Sequence, residues 1–156
     1  MAWKQFLVRA FVLAQRDISV TRLRILFVDD NRISGLINCS LLRDMGYDVT
    51  EVFSGYEAIA EIRGTAPFSG LVTDVNLGAG PDGFEVARAA RLLNARLPVI
   101  YVSAAEQARF AVEGVSNSVF IGKPYDPRCV VEALASFFAP GLRKPFEPGL
   151  RRHLAA

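Results

Sequence analysis

The sequence predicts a doubly wound α/β fold, one parallel sheet with helices packed on both of its faces. Three observations predict it. Short apolar runs rich in strand-forming residues alternate with stretches whose apolar residues recur at helical spacing. The alternation repeats five times between residues 23 and 139, and parallel strands require crossovers that helices supply. The length of 156 residues allows one compact domain and leaves little for a second.

The elements follow in order. Arg24-Ile-Leu-Phe-Val28 is a continuous apolar run, as expected of a strand buried on both faces. Residues 32–45 carry Ile33, Leu36, Ile37, Leu41 and Met45 at helical spacing, which predicts a helix, with Gly46 as the stop. Asp48–Phe53 alternates like an edge strand, and Ser54 with Glu57 forms a capping-box pair opening a helix to Arg63. Gly70–Thr73 is a third strand. The loop Gly78-Ala-Gly-Pro-Asp-Gly83 then precedes a helix over 84–94. Pro98–Val102 and Val119–Ile121 complete the strands, with a short helix over 105–113 between them. Asp126 as N-cap and Pro127 at the first helical position open the last helix, to Phe138.

Composition narrows the function. The chain is 51% hydrophobic and 22% charged, the balance of a soluble globular protein, and no apolar run reaches the ~20 residues that span a bilayer. Two cysteines, Cys39 and Cys129, argue against a disulfide framework and for a reducing, cytoplasmic setting. The one histidine, His153, lies near the C-terminus, so neither a histidine metal cluster nor a Ser-His-Asp triad is expected.

The net charge of +2 is unevenly spread: residues 1–22 carry +3, residues 23–139 carry −4 and residues 140–156 carry +3. The tail 140–156 is rich in Pro and Gly and is expected to be a flexible basic extension. The head 1–22 is a basic amphipathic extension, with Trp3, Phe6, Leu7, Ala10, Phe11, Leu13 and Ala14 spaced as on one helix face.

In open parallel sheets chemistry gathers beyond the carboxyl ends of the strands. Strand one ends in Asp29 and Asp30, strand three in Asp74, strand four in Ser103, and Lys123-Pro124 follows strand five. Converging carboxylates repel one another unless a cation lies between them. An all-oxygen donor set suits Mg²⁺. A lysine and a hydroxyl beside such a cluster complete the equipment for holding a transferring phosphoryl group.

On these residues the chain resembles the receiver domain of two-component response regulators over 23–139. The resemblance is carried by Phe27-Val-Asp-Asp30, Val72-Thr-Asp-Val-Asn76, Val102-Ser-Ala104 and Gly122-Lys-Pro124. It implies a flavodoxin-like (βα)5 fold with strand order 2-1-3-4-5. It further implies Asp74 as phosphoacceptor, Asp30 as a direct Mg²⁺ ligand, Asp29 as a water-mediated one, and the Asn76 carbonyl as another. Ser103 matches the switch hydroxyl, Lys123 the active-site lysine and Phe120 the aromatic switch position, and the Lys123–Pro124 bond is expected to be cis. For Phe120 an ordinary core role stands beside the switch role.

The implied partners are a sensor histidine kinase or histidine phosphotransfer protein, and a downstream protein or second copy on the helix 4–strand 5–helix 5 face. Only 17 residues follow the receiver segment, so no DNA-binding domain is expected and a stand-alone receiver is the favoured reading. The runner-up is a pseudo-receiver that binds partners without phosphorylation. An FMN binder lacks its phosphate-cradling loop here, and an aspartyl-phosphate phosphatase lacks its Asp-x-Asp after strand one. The segment 105–113 is short for the family, and the loop from Asp74 to Gly83 is one residue longer than usual.

Overall fold

The computed structural model describes Gln5, residues 22–64 and 66–139, and the backbone of 150–153. Most of the head, and the tail apart from that backbone, therefore lie outside the described residues. The elements run β1 (Arg24–Val28), α1 (Arg32–Asp44), β2 (Asp48–Val52), α2 (Gly55–Ile62), β3 (Gly70–Asp74), α3 (Gly83–Leu93), β4 (Val99–Ser103), α4 (Gln107–Glu113), β5 (Ser118–Gly122), α5 (Arg128–Phe138) and β6 (Leu150–His153). The first five strands are parallel in the order 2-1-3-4-5, as expected for a flavodoxin-like receiver fold.

Strand side chains alternate between faces, and the core divides accordingly. Leu26, Val28, Leu71, Tyr101 and Phe120 point to one face, where they meet Ala58 of α2, Phe84 and Ala87 of α3, and Phe110 of α4. Ile25, Phe27, Val72, Ile100 and Ile121 point to the other, against Cys39 and Leu42 of α1 and Val130 and Leu134 of α5. Strands β3 and β4 are buried at every residue, which is why their sequences read as mostly apolar runs ending in polar residues, Thr73 and Asp74 in β3 and Ser103 in β4. Each fully buried Leu or Ile on these faces contributes roughly 1.5–3 kcal/mol. Burial pushes the Cys39 thiol up to about 12, Glu51 adding to the effect, so it is an inert core residue.

Three expectations need correction, and the α1 stripe divides along its length: Ile33, Leu36 and Ile37 are 73%, 65% and 54% exposed, whereas Leu41 and Met45 pack against the core. The helix buries Gly35, Asn38, Cys39 and Leu42. Its small Gly35 permits close approach to Glu51 of β2. In α5 the N-cap is Pro127, not Asp126; the Asp126 carboxylate accepts from the Arg128 N–H at 2.9 Å.

At α2, Ser54 does accept from the Glu57 N–H, but the Glu57 carboxylate reaches back to the Phe53 N–H, one residue before the cap. Finally, the sheet has a sixth strand. Leu150–His153 pairs antiparallel with β5, in the segment read as flexible. An edge strand offers a row of unpaired backbone groups, and strand addition satisfies them whatever the added sequence.

Candidate functional site

Strand β1 pairs with β2 on one side and β3 on the other, so the crossovers leave in opposite directions beside its carboxyl end. The local sequence places the acids there. Asp29 is 1% exposed; its N–H donates to Val52 O at 3.2 Å, and its Oδ1 accepts the Asn31 N–H at 2.9 Å. Asn31 then caps α1 through the N–H groups of Ile33 and Ser34. Asp29 is thus not the helix cap, and its Oδ2 faces Lys123. Asp30 follows, exposed at the mouth.

Asp74 closes β3 and is 6% exposed; its Oδ1 accepts the Asn76 N–H at 3.0 Å. The Lys123 N–H donates to Ser103 O at 2.8 Å, which fixes the lysine beside β4. Its Nζ lies 2.6 Å from Asp74 Oδ2 and 3.4 Å from Asp29 Oδ2. The Lys123–Pro124 peptide bond is cis. One oxygen each of Asp29, Asp30 and Asp74 lie within 4.8 Å of one another. Ser103 is 1% exposed and its Oγ has no hydrogen-bond partner. A buried orphan hydroxyl costs free energy unless a ligand satisfies it.

The electrostatics follow from three carboxylates facing one ammonium. Burial pushes the Asp74 carboxyl above its ordinary value; the Lys123 hydrogen bond and charge and the Asn76 amide oppose this, and the Asp29 charge adds to it. Burial pulls Lys123 down, but the hydrogen bond and charge of Asp74, then Asp29, outweigh it and hold the ammonium above its usual range. The cluster keeps an excess of negative charge, and its all-oxygen donors fit a hard divalent cation such as Mg²⁺.

Asp29, Asp30, Asp74, Asn76, Ser103 and Lys123 all sit at this one edge. Phe120 is elsewhere, within the core: it is 2% exposed and its ring centroid lies 5.3 Å from that of Phe110. Tyr101 joins them, 5.7 Å from Phe110 and 5.0 Å from Phe84. An aromatic row thus runs from α3 through β4 and α4 to Phe120.

Sequence reading missed the brace beside the loop that follows Asp74. Asp82 caps α3 in a complete capping box with Glu85 and accepts from Arg109 of α4 at 2.8 Å. Arg109 also pairs with Glu113 at 2.8 Å and lies over the Phe84 ring. The Asp-x-x-Glu spacing was the legible signal; the Arg109 partnership carried none. Burial tends to raise the Asp82 carboxyl, but the bonds from Arg109 and the Glu85 amide outweigh it and hold the group below its usual range. Asp82→Ala is expected to cost about 1 kcal/mol in urea unfolding at neutral pH, most of it recovered by Asp82→Asn, which keeps a capping oxygen. Equal losses for both variants would place the effect in the Arg109 contact instead.

Residues 25–135 match the family model of the response regulator receiver domain. The chain is 31% identical over 107 residues to the transcriptional regulatory protein ZraR of Salmonella typhimurium, a match spanning 67% of this chain and 24% of that protein. It is 35% identical over 95 residues to the sensor protein EvgS of Escherichia coli, spanning 61% of this chain and 8% of that one. The chain therefore spans a quarter or less of these curated relatives. Among solved structures, a response regulator receiver protein from Sinorhizobium medicae superposes with a TM-score of 0.74 at 34% identity, covering 77% of this chain and 97% of that one. With fold, strand-end residues and family match in agreement, the chain belongs to the response regulator receiver domain family of two-component systems.

Proposed function

We propose that this chain is a phosphorylatable receiver: Asp74 accepts a phosphoryl group from a phosphohistidine of a sensor kinase or phosphotransfer protein. The observation that carries the reading is the convergence at one sheet edge of Asp29, Asp30 and Asp74 with Lys123 and an unpartnered Ser103 hydroxyl. Asp29, Asp30, Asp74 and the Asn76 carbonyl would hold Mg²⁺, which when bound neutralises the excess carboxylate charge and developing charge on phosphoryl oxygens. An Asp74 oxygen attacks phosphorus in line; an O–P bond forms, the N–P bond to histidine breaks, and the imidazole keeps the electron pair and takes up a proton. Lys123 exchanges its bond to Asp74 for one to a phosphoryl oxygen. Ser103 Oγ, now satisfied, donates to another.

Two surfaces serve the reading. The exposed Ile33, Leu36 and Ile37 lie on the helix that starts beside Asp29 and Asp30, an apolar patch fit for a donor's helices. Movement of Ser103 toward the phosphoryl group lets Phe120 shift against Phe110, altering the α4–β5–α5 face for a partner or second copy.

Mg²⁺ binding tests the pocket. Thermal unfolding is expected to shift upward with Mg²⁺ and return with chelator, by ~2.7 kcal/mol at a hundredfold excess over Kd. Asp30→Asn is expected to remove most of the shift. A wild-type melting temperature indifferent to millimolar Mg²⁺ would count against the site.

A further inference from the structure

At the end of the sheet opposite the carboxylates, an apolar groove of about 150 Å³ opens between α2 and α3. It is lined by Leu26, Ile62, Phe68, Leu71, Leu93 and Leu97. Of these, Leu93 is 67% exposed. No group of the proposed phosphoryl chemistry touches it. A mainly apolar groove of this volume has room for a ring the size of benzene.

The groove wall is tied to the place where the chain enters the fold. Arg24, the first residue of β1, donates to Ala66 O at 2.6 Å and Pro67 O at 3.3 Å, and its guanidinium lies over the Phe68 ring at 4.5 Å. Residues 22–24 therefore lie next to the groove wall, and the segment 1–21 joins the fold there. That segment carries Trp3, Phe6, Leu7, Ala10 and Phe11 at helical spacing, and the exposed Gln5, which falls between the apolar positions, is helical.

The dimensions agree. Residues 3–14 as a helix measure about 18 Å, and residues 15–21 extended reach up to about 23 Å.

We propose that the N-terminal segment of this same chain docks its apolar face over the α2–α3 groove, one aromatic ring filling it. A second copy is the weaker occupant. A stable dimer face needs about 800 Å² per partner, whereas this groove takes a single ring, and a short tether raises the local concentration of the head to about millimolar. The docked head covers Leu93 and closes the underside of the core, leaving the carboxylates at the opposite end of the sheet free.

Trp3 is the one tryptophan of the chain and reports the contact directly. In the full-length protein its fluorescence is expected to be blue-shifted and several-fold less quenched by iodide than in urea, independently of protein concentration. Leu93→Asp changes an already exposed rim position, and Phe6→Asp alters the head alone; each is expected to return Trp3 to the quenching of the unfolded chain while far-UV circular dichroism stays native. Trp3 as accessible in the native protein as in urea overturns the proposal. So does shielding that survives both substitutions, that disappears on dilution and so belongs to a second copy, or that arises only with phosphatidylglycerol vesicles.

Discussion

Asp74→Asn is expected to accept no phosphoryl group and to be more stable than the wild type. Labelling by acetyl phosphate with Mg²⁺ should fall by about 100-fold or more, because the amide is no nucleophile and leaves phosphorus without an attacking oxygen. The stability effect follows from the raised Asp74 carboxyl. A group whose folded-state pKa lies above its unfolded value favours folding while protonated, below about 3.9. That contribution is lost as the pH rises through the folded value. At neutral pH the ionised Asp74 therefore subtracts from stability, and the neutral amide removes that cost. Without divalent cations the variant should melt above the wild type, and Mg²⁺ should narrow the gap because the wild type gains more from it. A variant that melts lower would show that the Lys123 bond at 2.6 Å outweighs burial and carboxylate repulsion.

Gly83→Ala is expected to be strongly damaging although the change is small. A β-carbon at Gly83 would lie 2.2 Å from Asp74 O and 2.8 Å from Val75 Cα. Both are backbone atoms of a buried strand end, so no flexible side chain can give way. The Gly83 N–H also donates to Val75 O at 2.9 Å, which pins the start of α3 against the nucleophile. We expect a loss of about 3 kcal/mol, roughly 10 °C in melting temperature, with phosphorylation impaired in the folded fraction. Gly78→Ala is the comparison: open space surrounds it, but its φ of +74° is left-handed, so about 1 kcal/mol is expected from backbone strain alone. If the two variants lose equally, the close packing of α3 on Asp74 is not what constrains this loop.

The site was legible because its chemistry sits at strand ends, where a buried apolar run stops abruptly at a polar residue. Asp29 and Ser103 directly follow such runs and Asp74 follows one after Thr73, and parallel topology brings those ends together. Spacing placed the α1 helix but not which part of its apolar stripe packs: Ile33, Leu36 and Ile37 are exposed, while Leu41 and Met45 pack on the core beside the buried Gly35, Asn38, Cys39 and Leu42. An exposed apolar face cannot be told from a buried one by spacing alone. Strand β6 was illegible because backbone pairing at a sheet edge asks little of the sequence, and Leu150-Arg-Arg-His153 has no strand-like alternation. The Arg109–Asp82 brace joins residues 27 apart and left no local pattern.

Direct mapping of the phosphoryl group tests the central claim. The wild-type chain, treated with acetyl phosphate and Mg²⁺, would be reduced with borohydride, which converts an acyl phosphate to an alcohol at the labelled residue, and then sequenced by mass spectrometry. The account predicts conversion at Asp74 alone, dependent on Mg²⁺ and weakened by Lys123→Ala. Conversion at Asp29 or Asp30, or none at any residue while the protein remains folded and binds Mg²⁺, would contradict it.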